Sequence, residues 1–123
     1  LLTLEAFDQW LAGYKTAWET RSPDAVGRLF AEDGLYYIKP FDQPLRGRDA
    51  IVDYWRGVER TQAEVQFTYT VLAVREAHGL AHWSARFRRV KGNKPVQLDG
   101  ILLAELNPAN QCICFREWWH SRR

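Results

Sequence analysis

The sequence predicts a single α+β domain spanning residues 1–123, with three helices first and then a curved antiparallel sheet wrapped over the long first helix. Two observations carry this. Apolar residues recur at spacings of three and four through the first half of the chain. After about Gln62 the period drops to two and stays there. The segments of period two are separated by short turns, which makes sequential strands antiparallel neighbours.

Leu4, Phe7, Trp10, Leu11, Tyr14, Ala17 and Trp18 mark one face of an amphipathic helix running from Thr3 to about Thr20, with Thr3 placed to cap it. Ser22-Pro23-Asp24 supplies an N-cap, a first-turn proline and a first-turn acid for a second helix, which carries Val26, Leu29 and Phe30 and stops near Gly34. Leu35-Tyr36-Tyr37-Ile38 reads as a strand. The prolines of Lys39-Pro40-Phe41-Asp42-Gln43-Pro44 make a loop, which is expected at the mouth of any pocket, and Gly47-Arg48-Asp49 introduces a third helix bearing Ile51, Val52, Tyr54, Trp55 and Val58. Four long strands follow at 64–76, 80–90, 96–106 and 112–119. In the second of these, Ala81, Trp83, Ala85 and Phe87 oppose His82, Ser84, Arg86 and Arg88, one oily face and one wet.

Composition removes several classes of function. A net charge of +2, with basic residues scattered apart from pairs such as Arg88-Arg89 and Arg122-Arg123, gives no nucleic-acid footprint, and these pairs read as solvated. Cys112 and Cys114, two apart on a strand, point the same way without bridging geometry and are expected to be reduced thiols; without a second pair or clustered histidines they make no metal site. No segment approaches the ~18 consecutive apolar residues of a membrane span, and no leader pattern is visible, so the expected location is cytoplasmic. No glycine-rich nucleotide motif or nucleophile elbow is found, and no cofactor is expected.

The final strand holds the strongest chemical signal. Ile113, Phe115, Glu117 and Trp119 share a phase, and an acid among such groups either finds a cation or keeps its proton. Glu117 is therefore the first candidate for chemistry; the competing reading is a structural ion pair with an arginine, Arg86 being the obvious one. Tyr14 is the second candidate because Trp10, Tyr14 and Trp18 lie along one helical stripe, although a tyrosine there also suits plain packing. Six Trp, six Phe and five Tyr in 123 residues leave large flat side chains to line a cavity as well as fill a core.

Several stretches resemble the nuclear transport factor 2-like superfamily, in particular its SnoaL-like and ketosteroid-isomerase-like members. They are Leu29-Phe30-Ala31-Glu32-Asp33-Gly34 closing the second helix, Pro40-Phe41 after the first strand, Leu45-Arg46-Gly47-Arg48-Asp49-Ala50-Ile51 opening the third helix, and Arg116-Glu117-Trp118-Trp119 at the end. The resemblance covers essentially the whole chain. It implies a cone-shaped sheet with a deep apolar pocket and a homodimer through the outer sheet face. It matches Tyr14 to a helix tyrosine that donates to the substrate oxygen in the isomerases, places Asp99 near a strand acid that is kept protonated there, and matches Glu117 to a final-strand acid of an epoxide hydrolase. Lys39 stands where the isomerases carry their general base, which argues against steroid isomerisation. Ala85-Arg86-Phe87 does not reproduce the hydrolase's Arg-x-Asp partner strand.

Periodicity leaves Asp99 open between two faces. Val96, Leu98, Gly100, Leu102, Ala104 and Leu106 form an apolar phase. Counting back from the Asn107 turn puts Asp99 outside, and the Leu-Asp-Gly resemblance puts it inside if a bulge lies near Gly100. The candidate site is thus Glu117, Tyr14 and Asp99, in a pocket lined by Trp10, Trp18, Tyr37, Trp55, Phe67, Trp83, Phe115 and Trp119. His82 and His120 read as surface or rim residues. Two functions stand. One is a small-molecule protein using acid-base chemistry, of isomerase, cyclase or hydrolase type, on a hydrophobic cyclic or polyketide-like substrate. The other is a non-catalytic ligand-binding or dimerisation module.

Overall fold

The computed structural model describes residues 1–122; the Arg122-Arg123 pair therefore lies partly outside the described residues. Helix α1 (Leu4–Glu19) is capped by the Thr3 side chain, which accepts from the Ala6 amide, and it buries Phe7, Trp10, Leu11, Tyr14, Ala17 and Trp18. Helix α2 (Pro23–Arg28) starts at the Ser22 cap and is shorter than the sequence predicts. Leu29 to Asp33 do not extend it: strand β1 (Phe30–Tyr37) begins at once, and Phe30 pairs with Cys112. Phe30 and Ala31 are both buried, a demand that a solvent-facing helix end does not meet. A two-residue strand β2 (Leu45–Arg46), not foreseen, pairs with Leu35 and Tyr36 before α3 (Arg48–Thr61).

The remaining strands are β3 (Gln62–Arg75), β4 (His78–Arg89), β5 (Lys94–Leu106) and β6 (Cys112–Arg122). They form one open six-stranded sheet in the order β2-β1-β6-β5-β4-β3. The long strands pair antiparallel as expected. Strand β1 runs parallel to β6, so the sheet as a whole is mixed. Its curvature has local causes: β3 slips register between Ala63 and Gln66 and again between Val71 and Ala73, and such bulges bend a strand and increase its twist. The concave side closes on α1. Trp10, Tyr14 and Trp18 meet Phe67, Trp83 and Phe115 there in a chain of ring contacts at 5.4–5.8 Å, and Phe7 packs in the same core. Gly79 fits because a Cβ would sit 2.6 Å from the Phe7 ring. No helix of the described residues is long and apolar enough to cross a membrane.

One bulge rewrites the end of the chain. Leu106 pairs with Cys112 and Glu105 with Cys114, which leaves Ile113 as the extra residue. Cys112 is therefore fully buried while Cys114 faces the other way, contrary to the expectation that they point together; both are free thiols. Beyond the bulge, Phe115, Glu117 and Trp119 do share the inner phase, and Ile113 does not belong to it.

Candidate functional site

Tyr14 from the middle of α1, Tyr36 from β1, Tyr54 and Trp55 from α3, Trp83 from β4, and Glu117 and Trp119 from β6 converge on a cavity of about 390 Å³ at the open end of the cone. Of the expected wall residues, Trp18, Trp55, Trp83 and Trp119 line it. Trp10, Phe67 and Phe115 lie beneath, at most 2% exposed. They are core that supports the wall: the Phe67 ring meets the Tyr14 ring edge-on and the Phe115 ring meets it tilted, both with ring centres 5.5 Å away. Tyr37 is on the opposite face of the sheet, with the Arg116 guanidinium 3.9 Å over its ring. Its neighbour Tyr36 takes the inner place, because β1 enters from the short α2 through an irregular stretch between Phe30 and Leu35. Apolar residues on both phases of Leu35-Tyr36-Tyr37-Ile38 hid that choice from the sequence.

Glu117 is buried, 8% exposed, and pairs in register with Leu102. Burial pushes its carboxyl up to about 8, and a hydrogen bond from Tyr36 offsets part of the rise. No cation forms an ion pair with it among the described residues, and Arg86 is exposed on the other face. The ion-pair reading therefore loses its partner.

Three phenols surround this acid. The Tyr14 and Tyr36 hydroxyls are 3.1 Å apart in a buried hydrogen bond. Burial, and next the charge of Glu117, hold both well above the ordinary tyrosine value and bring Tyr54 up to about 12. All three thus stay protonated donors across neutral pH, while Glu117 exchanges its proton near it. Two more donors, the Trp55 and Trp83 indole N–H groups, are buried without a hydrogen-bond partner among the described residues.

Asp99 is not in this set. Strand β5 runs through Gly100 without a register shift, so the bulge that would turn Asp99 inward does not exist. Gly100 serves another need: it lies between Trp83 and Trp119 in adjacent strands, and a Cβ there would come 2.3 Å from the Trp118 carbonyl oxygen and 2.8 Å from the Trp119 Cβ. Asp99 itself is exposed on the outer face, where its Oδ1 accepts from Ser84 at 2.7 Å and lies 2.9 Å from His82 Nε2. Its expected place beside Tyr14 and Glu117 is corrected accordingly.

Lys39 sits over the Trp119 ring at 5.4 Å, and Trp119 Nε1 donates to the Ile38 carbonyl at 3.0 Å, which ties the loop after β1 to the cavity wall. Sequence reasoning missed Tyr36, Tyr54, Gln62 and Arg89. Arg89 was legible in principle, because it continues the inner phase of Trp83, Ala85 and Phe87. The other three owe their places to strand and helix rotation. Among the described residues no group of three or more His, Cys, Asp or Glu is placed to hold a metal.

The SnoaL-like domain family matches residues 11–109. No curated protein matches the sequence. Among solved structures, a putative isomerase from Bacillus subtilis superposes with a TM-score of 0.85 at 16% identity, over 98% of this chain and 90% of that one. The epoxide hydrolase/cyclase-like enzyme SalBIII, described in pyran ring formation in the polyether salinomycin, gives 0.81 at 16% identity, over 92% and 89%. A hypothetical protein with a ketosteroid isomerase-like fold from Catenulispora acidiphila, in complex with trimethylamine, gives 0.78 at 18% identity, over 89% and 83%. At these identities the likeness is one of fold.

Proposed function

The chain belongs to the SnoaL-like domain family, and from that membership and the cavity geometry we propose that it binds a hydrophobic, ring-containing small molecule and performs acid-base chemistry on it. The single observation that carries the reading is Glu117, buried without a cation and held near a pKa of about 8. Below that pH its carboxyl is a proton donor in a site walled by aromatic rings, and on losing the proton it becomes a base. The Tyr14 and Tyr36 protons are already engaged in the hydrogen bonds beside Glu117, so the phenol free to meet an oxyanion that develops on a bound carbonyl or ring oxygen is Tyr54, which lines the same cavity. A proton moved between carbon and oxygen, or delivered to a leaving oxygen while an attacking hydroxyl returns its own proton to the carboxylate, fits one carboxyl flanked by phenols. This is chemistry of isomerase, cyclase or ring-opening type. A carboxyl NMR titration tests it: a Glu117 pKa at or below the model-peptide value of about 4.3 defeats the proton-exchange role.

A homodimer through the outer sheet face is supported by a separate observation. Trp118 is 42% exposed in the middle of that face, next to Ile101 on β5, with Leu103 and Leu80 half-buried in the adjoining row. A second copy covering this band would remove it from water. Sedimentation at micromolar concentration is expected to show twice the 14.4 kDa chain mass.

A further inference from the structure

The cavity is chemically two-ended. Its acid is at the β6 end; the other charged residue of its lining is Arg89, at the end of β4. The Arg89 guanidinium lies 5.5 Å from the Phe87 ring centre, a stacking contact that holds it at the mouth. It makes no ion pair among the described residues, whereas its neighbour Arg88, on the opposite face, bonds Glu64 at 2.7 Å. Arg89 lies close enough to Tyr54 to act on its phenol, against the upward push of burial and of Glu117. Arg89 and Glu117 form no ion pair with each other among the described residues, so neither neutralises the other.

Gln62 pairs with Arg89 across the β3–β4 ladder and lines the same mouth. Its side-chain carbonyl oxygen accepts from Trp18 Nε1 at 2.8 Å, which fixes the amide and leaves its NH₂ group as the free end. A guanidinium and an amide NH₂, both donors and both without a protein acceptor among the described residues, stand side by side above an apolar shaft.

Resting on the pocket reading above, we propose that the ligand is an organic carboxylate: an apolar ring body with an oxygen at the Glu117 end and a carboxylate at the opposite end, held by Arg89 and the Gln62 amide. A planar guanidinium suits a carboxylate better than it suits a neutral ester, and the contact at the mouth weakens with salt.

The test compares 6-hydroxy-2-naphthoic acid with its methyl ester by titration calorimetry at pH 6.5 and low ionic strength, where the acid is ionised and Glu117 protonated. The acid is expected to bind about tenfold more tightly than the ester. Arg89→Met should remove that preference by weakening the acid alone, and Arg89→Lys should keep part of it. Gln62→Glu preserves an acceptor for Trp18 and replaces the free NH₂ by a charged oxygen, so it should also penalise only the acid. Arg88→Met should leave the preference unchanged. An equal loss in Arg88→Met would reduce the effect to overall charge and overturn the assignment. So would equal weakening of both probes by Arg89→Met, which would make Arg89 a packing residue. Tight binding of the ester with no advantage for the acid overturns the carboxylate assignment and leaves the pocket reading intact; no binding of either probe overturns both.

Discussion

The two faces of this one sheet carry carboxylates on neighbouring strands with opposite fates. Glu117 on β6 points into the cone, where burial raises its carboxyl to about 8. Asp99 on β5 points out, where hydrogen bonds from Ser84 and then His82 hold its carboxyl below the usual range. Both are acids in strands rich in large apolar residues, Leu in β5 and Phe and Trp in β6. What separates them is the phase of the strand, since one face excludes water and the other offers donors.

The largest expected effect breaks the inner side. Glu117→Gln keeps the shape and removes the exchangeable proton; turnover of an identified substrate should fall by roughly 10²–10⁴-fold, with ligand affinity largely kept, as steady-state kinetics would show. The same variant tests the linkage. Because the folded pKa lies above the unfolded one, the folded state binds the extra proton between about 4.5 and about 8. The stability this gives is full below pH 4.5, declines as pH rises through that window and is gone above about 8. Denaturant melts of the wild type should lose on the order of a few kcal/mol from pH 5 to pH 8, and Glu117→Gln should be flat over that range.

A charge in the apolar band of the outer face comes next. Trp118→Lys is expected to weaken self-association by about 30-fold or more, seen as a fall from twice the chain mass to the chain mass in sedimentation, with the cavity undisturbed. An unchanged mass would place the interface elsewhere. Tyr36→Phe should have a smaller effect. It removes the partner of the Tyr14 hydroxyl and the bond that lowers Glu117, costing about 1 kcal/mol in denaturant melts and moving the Glu117 titration upward. The smallest effect belongs to Asp99→Asn: the melting temperature near pH 7 should stay within about 2 °C of wild type. Its linkage has the opposite sign, since a depressed carboxyl adds stability above its unfolded pKa of about 3.8 that is lost as pH falls below it. The variant should therefore blunt only the acid limb of the stability curve. A loss of activity in Asp99→Asn would erase the contrast between the two faces.

Periodicity alone determined the helical first half, the four long strands, their antiparallel pairing and the inward phase of Phe115, Glu117 and Trp119, because side-chain burial repeats with the local backbone geometry. It also singled out Glu117, since an acid within an apolar phase is visible without knowing what lies opposite. Tertiary structure decided the rest. Whether Glu117 meets a cation depended on which residues α1, β1, α3 and β4 bring to it: the first three bring one phenol each, and Arg89, which β4 brings to the cavity, forms no ion pair with it among the described residues. Tyr36 rather than Tyr37 faces the cavity because α2 ends at Arg28 and β1 then enters through an irregular stretch, a competition between burying Phe30 and continuing a helix that propensity does not settle. Ile113 left the inner phase through a bulge, and Asp99 stayed outside because its strand has none. A one-residue slip reverses every side chain beyond it, and the pairing partner that fixes the register comes from elsewhere in the chain.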